Sequence, residues 1–130
     1  MPVVALVVDD SMIIRHMICR FLEDRGYKVE VASNGQEALD AVARQLPSLI
    51  ITDMQMPAMG GAEFISTLKS KPETANVPIV ILTGRSSGYD GGETRAEFTI
   101  FKDIDIQDQL ERALEALANS RAAKAQSSGN

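Results

Sequence analysis

Short continuous apolar runs alternate along this chain with longer stretches in which apolar residues return every three or four positions. The first run, Val3-Val4-Ala5-Leu6-Val7-Val8, has no polar interruption and is rich in β-branched residues. That is the pattern of a strand covered on both faces in a parallel sheet. From Met12 to Arg25, the residues Ile14, Met17, Ile18, Phe21 and Leu22 recur at helical spacing, with Ser11 suited to the N-cap and Gly26 to the C-cap. Tyr27 to Ala32 alternates weakly and predicts a second strand. Asn34-Gly35 is a turn signal. Gln36 to Gln45 predicts a helix with Ala38, Leu39 and Val42 inward, stopped by Pro47.

Leu49 to Thr52 predicts a third strand, and Ala62 to Ser70 a helix with Phe64, Ile65 and Leu68 on one face. Pro72 ends that helix. Pro78 opens a fourth strand, Ile79 to Leu82. The stretch from Gly84 to Gly92 then breaks the pattern with Gly84, Gly88, Gly91 and Gly92. Each glycine weakens a helix by about 1 kcal/mol relative to alanine. A mobile loop is expected there, with at most a short helix near Glu93 to Ala96. Phe98 to Phe101 predicts a fifth strand. Asp105 suits the N-cap of a last helix through Ala118, with Ile106, Leu110, Ala113, Leu114 and Leu117 inward. The expected division is a domain over residues 1–119 and a flexible tail over 120–130, polar and small enough to fray.

Strand–helix alternation repeated five times implies an α/β sandwich with a parallel sheet and right-handed crossovers. In such sheets ligands bind beyond the carboxyl ends of the strands. Asp9, Asp10, Asp53, Thr83 and Lys102 all fall at or just after predicted strand ends.

Composition narrows the classes. A chain of 130 residues suits one domain with one core, and an apolar share of 45% is ordinary for it. A formal net charge of -5 with no basic run makes free nucleic acid or an anionic membrane a poor partner. No apolar stretch approaches the roughly 20 residues that span a bilayer. Met1-Pro2 runs straight into a core strand, so no secretory leader is expected. Cys19 is the single cysteine, and a reducing cytoplasm with Cys19 as a buried structural thiol is the expectation. His16, the single histidine, falls mid-helix and reads as a helix residue rather than a ligand.

A carboxylate at the end of a buried strand is costly unless something compensates it. Asp9, Asp10 and Asp53 together repel one another, and a hard divalent cation with oxygen ligands removes that repulsion. Magnesium suits the pattern; zinc does not. A carboxylate can also attack phosphorus to give an acyl phosphate. Catalysis is then positioning plus charge compensation. Lys102 can supply a point charge, Thr83 a hydroxyl donor and Gly84 a backbone N–H, with glycine allowing close approach.

These pieces, taken in order, resemble the receiver domains of two-component response regulators over residues 3 to 118. The pieces are Asp9-Asp10-Ser11 with Arg15, then Asp53-Met54-Gln55-Met56-Pro57-Ala58-Met59-Gly60-Gly61, then Pro78 to Leu82 followed by Thr83, then Lys102. The segment from Asp53 to Gly61, in register with the rest, is the specific part. The resemblance implies a flavodoxin-like (βα)5 three-layer sandwich with strand order 2-1-3-4-5. It implies Asp53 as phosphoacceptor, with Mg2+ held directly by Asp10, Asp53 and the backbone carbonyl of Gln55, and by Asp9 largely through water. Thr83 would donate to the phosphoryl group and transmit the switch, and Lys102 would pair with it. The donor would be a phosphohistidine on a histidine kinase or histidine phosphotransfer protein. The chain would catalyse only its own phosphorylation and dephosphorylation. It would be a monomer or a weak homodimer.

The sequence departs from that family in places. Asp103 follows Lys102 where proline is usual. Thr99 occupies the position of the usual switch aromatic, with Phe98 and Phe101 nearby. The stretch between Thr83 and Lys102 is short and glycine-rich, and Gly84 stands where alanine is common. Phosphorylation is expected to order the loop from Gly84 to Gly92 through Thr83 and Gly84. Arg85 reads equally as a phosphoryl contact that, with Gln55, gates water, or as a solvated side chain.

With only a short tail after the last helix, a stand-alone receiver is expected. It would act as an adaptor that gains a protein partner on phosphorylation, or alternatively as a phosphate sink or shuttle. A phosphorylation-independent binding module that retains the site is a further alternative. An Asp-nucleophile phosphatase is disfavoured, because Gln55 stands where that chemistry needs a second acid. No strand-associated nucleotide-binding glycine motif is present.

Overall fold

The structure, a computed structural model, describes residues 3–54, 61–84, 97–102 and 105–128. Within them the chain forms β1 (Val3–Val8), α1 (Met12–Glu23), β2 (Tyr27–Ala32), α2 (Gly35–Arg44), β3 (Leu49–Asp53), α3 (Gly61–Lys69), β4 (Ile79–Thr83), β5 (Phe98–Phe101) and α4 (Ile106–Ser128). The five strands make one parallel sheet in the order β2-β1-β3-β4-β5. This is the α/β, flavodoxin-like arrangement that the apolar runs and the resemblance implied.

The inner strands explain their own composition. Every residue of β3 and β4 is buried, so both faces of each strand need apolar or internally satisfied side chains. Alternate residues supply two apolar layers. On one face Ala5, Val7, Ile51 and Leu82 pack with Ile18, Phe21 and Leu22 of α1 and Ile106, Leu110 and Ala113 of α4. On the other, Leu6, Val8, Ile50 and Ile81 pack with Ala38 and Ala41 of α2 and Phe64, Ile65 and Leu68 of α3. Burying one such large side chain contributes about 1.5–3 kcal/mol.

Local signals fix the ends. The Ser11 hydroxyl accepts the Ile14 N–H, and the Asn34 side-chain oxygen accepts the Glu37 N–H at 2.9 Å. Each cap contributes about 1 kcal/mol. The C-cap of α1 is Asp24 rather than Gly26; Gly26, two residues on at φ +89°, takes the left-handed conformation that turns the chain into β2. The Asp105 carboxylate accepts the Asp108 N–H at the start of α4, as the sequence predicted.

One difference from the sequence reading stands out. α4 continues beyond Ala118 to Ser128. The inward apolar residues stop at Leu117, but Ala122, Ala123, Lys124, Ala125 and Gln126 are strong helix formers, so propensity carries the helix past its apolar stripe. Other boundaries move by a residue or two. The predicted loop from Gly84 to Gly92 and the short helix near Glu93 to Ala96 fall, apart from Gly84 itself, outside the described residues. Among the described residues no helix is long and apolar enough to cross a membrane.

Candidate functional site

The register brings strand ends together. Val8 pairs with Thr52, Asp53 with Leu82, and Thr83 with Phe101. Asp9, Asp53, Thr83 and Lys102 therefore follow one another along the carboxyl edge of the sheet. The Asp9 N–H extends the β1–β2 ladder by donating to the Ala32 carbonyl at 3.1 Å, and the Lys102 N–H donates to the Thr83 carbonyl at 2.9 Å.

The side chains converge as well. Lys102 Nζ lies 2.9 Å from Asp53 Oδ2 and 3.1 Å from Asp9 Oδ2. Asp9 is wholly buried and Asp53 is only 5% exposed, whereas Asp10 stands at the solvent rim. Asp9 Oδ1 accepts the Ser11 N–H at 2.8 Å, which folds the β1–α1 turn back on the carboxylate. Arg15 Nη1 donates to the Asp9 carbonyl at 3.3 Å and to Ser33 Oγ at 3.1 Å, tying that turn to the loop before α2.

Burial pushes the Asp9 carboxyl above its usual range, against the opposing pull of the Ser11 N–H and the Lys102 ammonium. For Lys102, burial alone would favour the neutral amine. The Asp53 and Asp9 carboxylates together outweigh it and hold the ammonium above its ordinary value. Among the described residues the site is an unbalanced charge set: one cation shared between two buried carboxylates, with a third at the rim.

That imbalance suits a divalent cation. One carboxylate oxygen from each of Asp9, Asp10 and Asp53 lies within 4.8 Å of the others. Buried Asp9 Oδ2 has, among the described residues, no assigned hydrogen bond beyond its 3.1 Å ion-pair contact with Lys102. An all-oxygen, acid-rich set with an incompletely compensated buried carboxylate fits Mg2+ and does not fit a soft metal.

The structure thus joins Asp9, Asp53 and Lys102 in direct contact and sets Asp10 beside them. It places Thr83, buried, at the end of β4, with Gly84 directly after it. Gln55 and Arg85 lie outside the described residues. His16 is exposed on α1. A cleft of about 420 Å³ between α2 and α3 is lined by Leu39, Val42, Leu46 and Leu68, among others, and shares no residue with the carboxylates.

Two residues beside the site escaped the sequence reading. Met12 and Ile13, in the first turn of α1, are 75% and 78% exposed. Their signal was available: both are apolar yet lie out of register with the inward series Ile14, Met17, Ile18, Phe21 and Leu22.

Comparison with known proteins agrees with this geometry. A family model described as the response regulator receiver domain matches residues 5–115. The response regulator Rre1 of Synechocystis sp. is 33% identical over 133 residues, covering 99% of this chain and 55% of that protein. The response regulator MprA of Mycolicibacterium vanbaalenii is 41% identical over 98 residues, covering 71% of this chain and 42% of that protein. The chain spans about half the length of these curated relatives. Among solved structures, the chemotaxis response regulator CheY4 of Vibrio cholerae superimposes with a TM-score of 0.79 at 31% identity, covering 89% of this chain and 99% of that one.

Proposed function

The chain belongs to the response regulator receiver family of two-component signalling, and from that premise we propose that Asp53 accepts a phosphoryl group and thereby switches a protein contact. The observation that carries this reading is the Asp53 carboxylate itself. It is nearly buried at a strand end, 2.9 Å from the Lys102 ammonium and grouped with Asp9 and Asp10.

An Asp53 oxygen attacks the phosphorus of a phosphohistidine. The P–N bond breaks, the imidazole leaves with its electron pair, and an acyl phosphate forms on Asp53. Lys102 stands where it can pair with the added phosphoryl oxygens. The Thr83 hydroxyl and the Gly84 N–H are the donors at the adjacent strand end. Asp10, Asp53 and the Gln55 carbonyl would hold Mg2+, with Asp9 reaching it largely through water. When bound, the cation compensates the charge on the phosphoryl oxygens. Receiver domains are signalling modules, and the chemistry proposed for this one ends with its own phosphorylation and dephosphorylation.

A protein donor is favoured over a small molecule by Met12 and Ile13, whose exposed side chains follow the Asp9-Asp10-Ser11 turn. A histidine kinase or histidine phosphotransfer protein in a reducing cytoplasm fits that surface and the single thiol, Cys19.

The test is transfer of labelled phosphoryl from a phosphohistidine-bearing donor in the presence of Mg2+. Label should pass to the wild-type chain and not to Asp53→Asn. A partner captured only by the phosphorylated chain supports an adaptor. Rapid turnover with no partner supports a sink. Transfer to Asp53→Asn as well would place the acceptor elsewhere.

A further inference from the structure

Among the described residues β5 is an edge strand, bonded to β4 on one side only. The Lys102 N–H donates to the Thr83 carbonyl, towards β4. A parallel ladder alternates, so the N–H and C=O of the preceding residue, Phe101, point the other way, to the outer edge. An edge backbone is ordinarily left to solvent.

Here one side chain takes both groups. Gln109, half-buried on the first turns of α4, accepts the Phe101 N–H on Oε1 at 2.9 Å and donates from Nε2 to the Phe101 carbonyl at 2.8 Å. The same Nε2 contacts the Asp105 carbonyl at 3.3 Å. A primary amide carries a donor and an acceptor side by side, as a peptide group does, so Gln109 completes the edge as a neighbouring strand would. It is fixed in turn by its helix: Ile106, Leu110 and Ala113 anchor α4 against the sheet.

The consequence falls on Lys102, the next residue. Lysine has a flexible stem and delivers a point charge wherever its backbone leaves it. The end of β5 is gripped from both sides, with Thr83 bonded to Lys102 inward and Gln109 bonded to Phe101 outward. We propose that Gln109 is a positioning residue for Lys102, holding the end of β5 so that the ammonium reaches Asp53 and Asp9 across the end of β4. This rests on the phosphoacceptor reading for its kinetic consequence, but not for its geometry.

The test uses the full chain and Gln109→Met, which keeps length and removes both hydrogen-bonding atoms. Gln109→Glu, which keeps the acceptor and loses the donor, serves as an intermediate. Two readouts are taken: the Lys102 side-chain ammonium signal by NMR on ¹⁵N-lysine-labelled protein without phosphate, and the phosphorylation rate with acetyl phosphate and Mg2+. The wild type should show a slowly exchanging Lys102 ammonium, and Gln109→Met should lose it. The rate should fall roughly five- to tenfold, the equivalent of one lost hydrogen bond in the transition state. Gln109→Glu should lie between them.

Lys102→Ala decides between positioning and general structure. If Gln109 acts through Lys102, adding Gln109→Met to Lys102→Ala produces no further loss of rate. An undiminished loss in that background overturns the proposal. So does an unchanged Lys102 signal and rate in Gln109→Met. If the wild type takes no phosphoryl group, the phosphoacceptor reading fails, and the Lys102 ammonium signal in the same samples still decides the role of Gln109.

Discussion

The Lys102 ammonium lies 2.9 Å from the Asp53 carboxylate although β3 and β5, the strands that deliver them, are separated in the sheet by β4. Lys102 therefore bridges the carboxyl edge and neutralises charge that the fold has buried. Removing it strands Asp53 and Asp9 together. Lys102→Ala should lower stability by about 2 kcal/mol, below the cost of breaking a fully buried pair because Lys102 keeps some solvent contact. Urea unfolding measures this, and added Mg2+ should recover part of it. The lysine is held above its ordinary value, so its contribution is complete below 10.5 and is lost as pH rises through the folded-state value.

Asp9 has the opposite sign. Its carboxyl sits above the ordinary range because burial outweighs its partners, so the native state holds that proton more readily than the unfolded chain. Ionised Asp9 then opposes folding at neutral pH. Asp9→Asn should stabilise the metal-free protein, since it removes a buried charge whose burial cost exceeds the pull of its partners. It should also weaken the stabilisation that Mg2+ gives. Urea titrations with and without Mg2+ check both, and a loss of metal-free stability would contradict the assignment.

Ile13 tests the route of the phosphoryl donor. It is 78% exposed and makes no part of the core. Ile13→Glu should leave folding and acetyl phosphate labelling unchanged while slowing transfer from a phosphohistidine protein roughly tenfold, as loss of an apolar contact does. Equal slowing with both donors would remove Ile13 from the docking surface.

Cys19 is half-buried against the core rather than fully buried, and should still behave as a structural thiol. Burial raises it above the ordinary value of 9.0, with Glu23 adding to the shift and Arg15 opposing it. The native state keeps this proton where the unfolded chain loses it, so stability falls as pH rises above 9.0. Iodoacetamide should alkylate native Cys19 more slowly than the urea-unfolded chain at pH 8, where thiolate is the attacking form.

Most of this molecule was legible in its sequence because its parts obey separate local rules. β1 and β3 announce themselves as apolar runs, and Ser11 and Asp105 mark helix starts through side-chain oxygens, whereas Asn34, read as a turn residue, proves to be the cap of α2. Asp9, Asp53, Thr83 and Lys102 were found from strand ends alone. What escaped depends on long-range geometry. The sharing of Lys102 between two carboxylates and the grip of Gln109 on Phe101 join residues far apart in the chain. No periodicity reports such pairs. The continuation of α4 beyond Ala118 was hidden for another reason: alanine-rich propensity sustains a helix without an apolar stripe to reveal it. Met12 and Ile13 could have been found, because both are apolar yet fall out of register with the inward series of α1.

The central claim is that Asp53 accepts a phosphoryl group. The most direct measurement is intact-mass and fragment-ion spectrometry of the full chain after incubation with Mg2+ and acetyl phosphate, with Asp53→Asn in parallel. The expected result is one added HPO3 group on the wild type, located at Asp53 and absent from Asp53→Asn. An unmodified wild type, under conditions that label another receiver domain in the same experiment, would contradict the account.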